Sequence, residues 1–138
     1  MKYYGIVEID TDRSASGYFP DVPGCFFAGD DLHDAYLDAE SAIEAHFEMT
    51  AEKGMEIPQS NGVPVIDAST FHLEKGHIIM MIEVNVDVTK YLGKSERINI
   101  TMPHLLIEKI DKAVGQDSRY TSRSHFIAEA ARKELSHL

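Results

Sequence analysis

Cysteine, basic side chains and long apolar runs are all scarce in this chain of 138 residues. The single cysteine, Cys25, has no partner for an internal disulfide, and no run of 18 apolar residues could form a transmembrane helix. The first ten residues, MKYYGIVEID, lack the apolar core of a signal peptide. We therefore expect a cytoplasmic protein without membrane association, large enough for one ordinary domain or two small ones.

Basic residues are scarce only in the first two thirds of the chain. Residues 1–92 hold 17 Asp and Glu against 5 Lys and Arg, a net charge of −12, whereas residues 93–138 hold 6 against 8, a net charge of +2. The overall charge of −10 argues against a nucleic-acid binder, but the change of sign indicates two modules with different partners. We predict a first domain over residues 1–90 and a second over 94–138, with residues 89–96 as the linker.

The first module begins with three predicted strands. Aromatic and β-branched residues mark strands over 2–10, 16–20 and 25–29. Between the second and third strands, Pro23 and Gly24 suit the two central positions of a type II turn. These elements predict an antiparallel hairpin that follows an aromatic-rich strand.

A long helix and a final strand complete the first module. The helix is predicted from about Leu32 to Lys53, because two aspartates open it and Gly54 stops it. Residues 55–75 predict a loop with one short strand at VPVID (63–67), and residues 77–88 are the clearest strand in the chain. The expected fold class is α+β, a small, mostly antiparallel sheet with one helix packed on it. The apolar face of the last strand comprises Ile78, Met80, Ile82, Val84, Val86 and Val88.

The acidic side chains of this module raise the alternative of a two-metal nuclease. We favour a solvated acidic face, because the acids sit at strand ends or point off the helix and do not converge. The histidines, His72 and His77 included, lack zinc spacing and are predicted to be surface residues, and Cys25 has no assigned base. We therefore predict no catalytic residue, no metal and no cofactor, and no enzymatic activity. The acids considered were Glu8, Asp10, Asp12, Glu40, Glu44, Asp67 and Asp87.

One motif of the first module is long enough to indicate a family. It comprises Phe19-Pro20-Asp21-Val22-Pro23-Gly24-Cys25 and Gly29-Asp30-Asp31-Leu32, preceded by YYGIVEID and followed by an acidic helix. The run resembles the HicB antitoxin family. That resemblance implies a degraded ribonuclease-H-like fold without a working active site, which binds a small mRNA-cleaving toxin of the HicA type. An acidic surface fits such a partner, since a ribonuclease should be basic.

The second module opens with RINITMP, residues 97–103, in which polar and apolar side chains alternate as in a half-buried strand. Helices are predicted over 104–116 and 122–138, the second with Ser122 as its N-cap. A lone strand is unstable, so we predict that two copies pair their strands and form a dimer through residues 94–138. Ile98, Ile100 and Met102 would then face the shared core, and the second helix would direct Phe126, Ile127, Ala130, Ala131, Leu135 and Leu138 inward.

Lys94-x-x-Arg97-Ile98-Asn99-Ile100-Thr101-Met102-Pro103, followed by Thr121-Ser122-Arg123-Ser124-x-Phe126-Ile127, resembles the ribbon-helix-helix family of repressors. Such a two-stranded ribbon fits the major groove of DNA. The resemblance implies that Arg97, Asn99 and Thr101 read base edges. It also implies that the N-terminus of the second helix binds a phosphate of the DNA backbone. The phosphate-binding residues would be Lys94, Ser122, Arg123 and Ser124. His125 stands where a glutamate would often complete a capping box.

These patterns together predict the antitoxin of a toxin–antitoxin pair that also represses its own operon by binding operator DNA. The expected partners are a HicA-type toxin ribonuclease, double-stranded operator DNA and a second copy of the chain. A tetramer would follow if the first module also self-associates through a sheet edge. Two alternatives remain open from the sequence: a stand-alone ribbon-helix-helix repressor without a toxin, and, less favoured, a metal-dependent nuclease.

Overall fold

A computed structural model, which describes residues 1–67, 69 and 71–138, divides the chain into two compact units. The first unit is Met1–Leu92 and the second is Gly93–Leu138. Among the described residues, none of the helices is both long enough and apolar enough to cross a bilayer.

The first unit is an antiparallel sheet with one long helix on one face. Its strands follow the spatial order β3-β2-β1-β4, and every neighbouring pair is antiparallel. The predicted α+β fold class is therefore confirmed. In chain order the elements are β1 (Lys2–Ile9), β2 (Ala15–Tyr18), β3 (Phe26–Gly29), α1 (Leu32–Glu52), β4 (Ile78–Asn85) and a 3-10 helix (Val88–Tyr91).

The tight turn between β2 and β3 forms as the sequence predicts. The backbone N–H of Cys25 donates to the carbonyl of Val22 at 3.1 Å, which closes a four-residue turn around Pro23 and Gly24. Gly24 has a φ of +84°, the left-handed conformation that the third position of a type II turn requires and that glycine adopts without strain. The turn sets the register in which β3 returns along β2.

Helix α1 also begins and ends close to its predicted limits. The side chain of Asp31 caps it by accepting a hydrogen bond from the N–H of Asp34 at 2.8 Å, and Gly54, with a φ of +69°, follows its end. Its buried residues recur every three or four positions, so a single stripe faces the sheet. They are Ala35, Ala39, Ile43, Phe47 and Thr50.

Aromatic rings join α1 to the sheet at the centre of the core. Tyr3 of β1 and Phe47 of α1 are both fully buried, and their ring centroids lie 5.0 Å apart in an edge-to-face arrangement. Tyr91 of the 3-10 helix also contacts Phe47, with ring centroids 5.8 Å apart. The residues that follow β4 therefore belong to the core of the first unit and not to a linker. The predicted linker start at residue 89 is wrong, and the boundary lies between Leu92 and Gly93.

One further prediction for the first unit is wrong, and the core covers less of β4 than its apolar face offers. The described residues 63–67, the VPVID segment, contain no strand, and the residues between α1 and β4 contain no regular element where they are described. The apolar face of β4 is buried only from Ile82 onward, whereas Ile78 and Met80 remain 55% and 40% exposed. Alternation correctly places these side chains on one face, but the core does not extend far enough along the strand to cover them all.

The second unit contains α2 (His104–Gln116) and α3 (Arg123–Leu135), with Ser122 as the N-cap of α3. The predicted strand over residues 97–102 is not present in the single chain, since residues 95–103 have neither helical nor strand structure. A strand requires a hydrogen-bonded neighbour, and within the described chain these residues have none. Leu135 and Leu138, predicted to face inward, are exposed.

Truncating the central ring should test this packing. We expect Phe47→Ala to lower the free energy of unfolding by about 3–5 kcal/mol, because it removes a fully buried ring and leaves a cavity between β1 and the 3-10 helix. Urea unfolding followed by circular dichroism would measure the loss. Leu37→Ala is the matched control on the same helix, because Leu37 is half exposed and should cost far less. Equal losses for the two variants would contradict the described core.

Candidate functional site

The residues predicted to read bases lie on one exposed, extended segment of the second unit. Arg97, Asn99 and Thr101 are all exposed. The alternating apolar residues Ile98 and Ile100 are exposed as well, to 71% and 55%. The two isoleucines therefore leave an apolar face of this segment uncovered in the single chain.

The N-terminus of α3 brings three of the predicted phosphate-binding residues together. Ser122 caps the helix, and its Oγ accepts a hydrogen bond from the N–H of His125 at 3.1 Å. Within the described part of the chain, the backbone N–H groups of Ser122, Arg123 and Ser124 donate to no acceptor. Three unsatisfied donors at a helix N-terminus favour an anion, because the helix dipole adds to their partial positive charge.

His125 bonds to the backbone just before the cap. Its Nδ1 accepts a hydrogen bond from the backbone N–H of Thr121 at 3.2 Å. A capping-box glutamate would instead accept from the N–H of the N-cap residue Ser122, so the reciprocal pair of hydrogen bonds is not formed here. A histidine at this position also avoids placing a carboxylate beside the three open N–H groups.

The side chain of Arg123 is engaged within the second unit. Its Nε and Nη2 atoms donate to the two carboxylate oxygens of Asp111 on α2 at 2.9 and 2.8 Å. These hydrogen bonds hold the pKa of Asp111 below its ordinary value. The side chain therefore ties α3 to α2, while the backbone N–H of Arg123 stays open for a ligand. The fourth predicted phosphate-binding residue, Lys94, is exposed near the start of the extended segment.

The first unit presents a different surface, an acidic row along α1. Four glutamates recur at every fourth position, so they share one exposed face of the helix. Like charges at this spacing each destabilise a helix by about 0.2–0.5 kcal/mol, and α1 contains no lysine or arginine to offset them. The row comprises Glu40, Glu44, Glu48 and Glu52.

Only one member of the acidic row has a described ion pair. Glu44 lies 3.5 Å from Lys90, whose Nζ also sits 5.2 Å from the ring centroid of Tyr91. An open groove of about 390 Å³ runs beside the row, lined by Glu44, Glu48, Ala51, Glu52, Lys90 and Tyr91. The remaining glutamates have no cation among the described residues, so this face carries a net negative charge.

The sequence missed the role of His77, and its predicted place at the surface is wrong, since its side chain is only 13% exposed. Nδ1 lies 2.9 Å from Oε1 of Glu8, and Nε2 lies 3.1 Å from Oδ1 of Asp10 and 3.6 Å from Oε2 of Glu74. The hydrogen bond to Glu8 raises the pKa of His77, and the charges of Asp10 and Glu74 add to this, although burial opposes it. Two acids considered for a nuclease site thus bind opposite sides of one imidazole.

Cys25 is also unsuited to the nucleophile role considered for it. The side chain is buried in the turn between β2 and β3. Burial, together with the charge of Asp38, raises the pKa of its thiol to about 11. The reactive thiolate is therefore scarce near neutral pH.

Comparisons with known proteins now identify the family. Residues 3–131 match the family model described as the HicB-like antitoxin of bacterial toxin–antitoxin systems. The chain is 40% identical to an uncharacterized 14.9 kDa protein of Haemophilus phage HP1 over 116 residues, 84% of each chain. Among solved structures, that of antitoxin HicB3 shares 35% identity over 98% of both chains with a TM-score of 0.54. The HicB antitoxin of Burkholderia pseudomallei shares 28% identity over 99% and 98%, with a TM-score of 0.49.

The fold and the comparisons define a regulator of the toxin–antitoxin class. The chain belongs to the HicB-like antitoxin family, and the match covers nearly all of it. The resemblance drawn from the motif around the turn at Gly24 is thereby confirmed.

The three carboxylates around His77, those of Glu8, Asp10 and Glu74, should make the stability of the fold depend on pH. The pKa of His77 is higher in the folded state than in the unfolded state. The stabilisation by the protonated imidazole is therefore fully present below the unfolded-state pKa, and it is lost as pH rises through the folded-state pKa. We expect the native protein to be more stable than His77→Gln at about pH 6, and the difference to vanish by about pH 9. Urea unfolding midpoints across this range would measure it.

His72→Gln is the control, because His72 is exposed and its substitution should change no midpoint. A difference between native protein and His77→Gln that stays constant with pH would contradict the ion pairs.

Proposed function

We propose that this antitoxin neutralises a small mRNA-cleaving toxin of the HicA type through residues 1–90, and that it represses its own operon through residues 94–138. The observation that carries the proposal is the division of the chain into an acidic unit and a unit with an exposed alternating segment before two helices. We further propose that the protein acts by binding alone, without catalysis and without a cofactor.

Charge supports a basic partner for the first unit. Residues 1–92 carry a net charge of −12. The glutamates of the acidic row repel one another and so destabilise α1, and the helix contains no lysine or arginine that would offset this. An enzyme that binds and cleaves RNA needs a positive surface, so the acidic unit should attract it over long distance and speed its association. The antitoxin would then block access of mRNA to the toxin.

The second unit supports DNA binding as a dimer. If two copies pair along residues 97–102, Ile98 and Ile100 of both copies become buried between the ribbon and the helices. Arg97, Asn99 and Thr101 then project from the opposite face. Arginine suits the O6 and N7 atoms of guanine, asparagine suits adenine, and threonine can hydrogen-bond or contact the methyl group of thymine.

The α3 N-terminus would anchor such a ribbon on the DNA backbone. Ser122, Arg123 and Ser124 present open backbone N–H groups at the start of α3, where a phosphate would be held without sequence preference. Lys94 would add a mobile positive charge. The predicted site thus separates base reading on the ribbon from phosphate binding at the helix.

The observed contacts do not favour the nuclease alternative. Glu8 and Asp10 are both engaged by His77, and Glu44 pairs with Lys90. The structure does not distinguish the proposed function from that of a stand-alone repressor without a toxin. A genetic experiment can distinguish them. The decisive test is growth rescue: the small reading frame beside the gene is expressed with and without this protein.

We expect that reading frame to stop growth and the antitoxin to restore it. A harmless or absent reading frame would contradict the toxin-binding role, while the proposed role of residues 94–138 would still stand. Deleting residues 93–138 separates the toxin-binding role from the DNA-binding role. We expect the deletion to abolish operator binding, as measured by gel shift.

Replacing Arg97 should weaken specific DNA binding. We expect Arg97→Ala to lose about 1–3 kcal/mol for the operator of its own promoter, because a base contact is removed. Fluorescence anisotropy at fixed salt would measure the affinity for this operator and for a scrambled sequence. Lys94→Ala is the control, since loss of a phosphate contact should weaken both sequences alike. Unchanged operator affinity of Arg97→Ala would mean that another face reads the DNA.

Neutralising the acidic row should slow toxin association. We expect the Glu48→Gln/Glu52→Gln variant to bind a catalytically inactive toxin more slowly at low salt, and the difference to shrink as salt screens the charges. Stopped-flow fluorescence would measure the rate. Asp30→Asn/Glu56→Gln changes the charge equally at exposed positions outside the row and should have a smaller effect. Equal effects would assign the attraction to net charge and not to the row.

A further inference from the structure

An ion pair links the two helices of the second unit beside the predicted phosphate site. Arg123 is the first residue of α3, and its Nε and Nη2 atoms donate to the two carboxylate oxygens of Asp111 on α2 at 2.9 and 2.8 Å. In this geometry two parallel N–H groups of the planar guanidinium meet both oxygens of a carboxylate. Such a pair fixes the direction of the arginine side chain as well as balancing its charge.

Stability alone does not explain this ion pair. The side chains of Arg123 and Asp111 are 55% and 47% exposed, and ion pairs in contact with water contribute little to stability. Apolar packing is present elsewhere in the unit, where Ile110 is buried and the rings of Tyr120 and Phe126 have centroids 4.8 Å apart. The larger effect of the pair is on Arg123 itself, because a long side chain otherwise samples many rotamers.

The paired guanidinium keeps donors for a second anion. Arginine carries five side-chain N–H donors. Asp111 accepts from Nε and Nη2, and the remaining donors of Arg123 have no acceptor among the described residues. One N–H of Nη1 and one of Nη2 are parallel to each other and form a second edge, which fits two oxygens of a phosphate. A guanidinium can therefore bind a carboxylate on one edge and a phosphate on the other.

The open backbone N–H groups of α3 lie at the same end of the helix as Arg123. Those of Ser122, Arg123 and Ser124 donate to no acceptor within the described chain. The Cα–Cβ bonds of a helix tilt toward its N-terminus, so the side chain of the first helical residue starts out in the direction of these groups. The backbone and the side chain of Arg123 are thus available to the same anion.

We propose that Asp111 is a positioning residue of the DNA-binding site, whose carboxylate holds the guanidinium of Arg123 so that its free edge joins the open N–H groups of α3 on one backbone phosphate. The inference rests on the proposed DNA binding by residues 94–138 and adds a residue that touches no DNA itself. Because the guanidinium is held before DNA arrives, less side-chain freedom is lost on binding than with a free arginine.

The charge of Asp111, taken alone, predicts the opposite effect on DNA binding. A carboxylate repels the phosphates, so its removal should strengthen binding if the residue acts only through its charge. Removal should also strengthen binding if the carboxylate merely competes with phosphate for Arg123. Positioning is the role for which removal weakens binding, and the sign of the change therefore decides between these roles.

Replacing Asp111 tests that sign. We expect full-length Asp111→Ala to bind the operator of its own promoter about two- to tenfold more weakly than the native protein at fixed salt, measured by fluorescence anisotropy. Glu108→Ala is the matched control, because it removes the same charge from an exposed position of α2 and should bind as tightly as the native protein or more tightly. An Asp111→Ala protein that binds like Glu108→Ala would overturn the proposal.

Removing the guanidinium shows whether Asp111 acts through it. In the Arg123→Gln background, Asp111→Ala should no longer weaken binding, because no guanidinium is left to position. An equal weakening with and without Arg123 would overturn the proposal. Urea unfolding midpoints separate positioning from a structural role. The exposed pair should leave the midpoint of Asp111→Ala unchanged, and a fall in the midpoint alongside the affinity would assign a structural role instead.

The salt dependence of binding tests the phosphate contact directly. Each phosphate contact contributes about 0.9 to the slope of log affinity against log salt concentration, so Arg123→Gln should lower the slope by about that amount. An unchanged slope would mean that the Arg123 side chain holds no phosphate, and the proposal would fail. A native protein that does not bind its operator would contradict the proposed function itself. Native binding with no difference between Asp111→Ala and Glu108→Ala would contradict this inference alone.

Discussion

The antiparallel register between β1 and β4 is the constraint on which most of the first unit depends. It joins Lys2–Ile9 to Ile78–Asn85 across a long stretch of chain and places Tyr3 beside Val84 on the face that α1 covers. Continued by one step beyond Ile9, the same register brings Asp10 opposite His77, which explains how the imidazole meets carboxylates from both strands. The register also decides which backbone groups of β4 are used internally and which remain at the edge.

Local signals in the sequence predict the elements that are stabilised locally. The cap at Asp31, the stop at Gly54 and the turn at Gly24 each act within a few residues, and all three are found in the structure. His77 could not be predicted in this way, because its partner Glu8 lies 69 positions away and only the register brings them together. The 3-10 helix was missed for a similar reason, since the contact of Tyr91 with Phe47 holds it and its own sequence resembles a linker.

Two apolar faces that alternation predicts are exposed in the single chain. Alternation identified the faces around Ile98 and around Ile78, but a pattern reports only that a face is apolar and not which molecule covers it. For the face around Ile98 the proposed cover is a second copy, because an isologous contact needs one surface that is complementary to itself. The alternating RINITMP segment satisfies that condition.

The proposed ribbon has consequences for regulation. A ribbon needs two chains, and each of them would also bring an acidic unit, where the toxin is proposed to bind. Two ribbons held in one assembly would bind a pair of operator sites more tightly than either would alone. A toxin that changed the number of ribbons in an assembly would therefore change repression without contacting DNA.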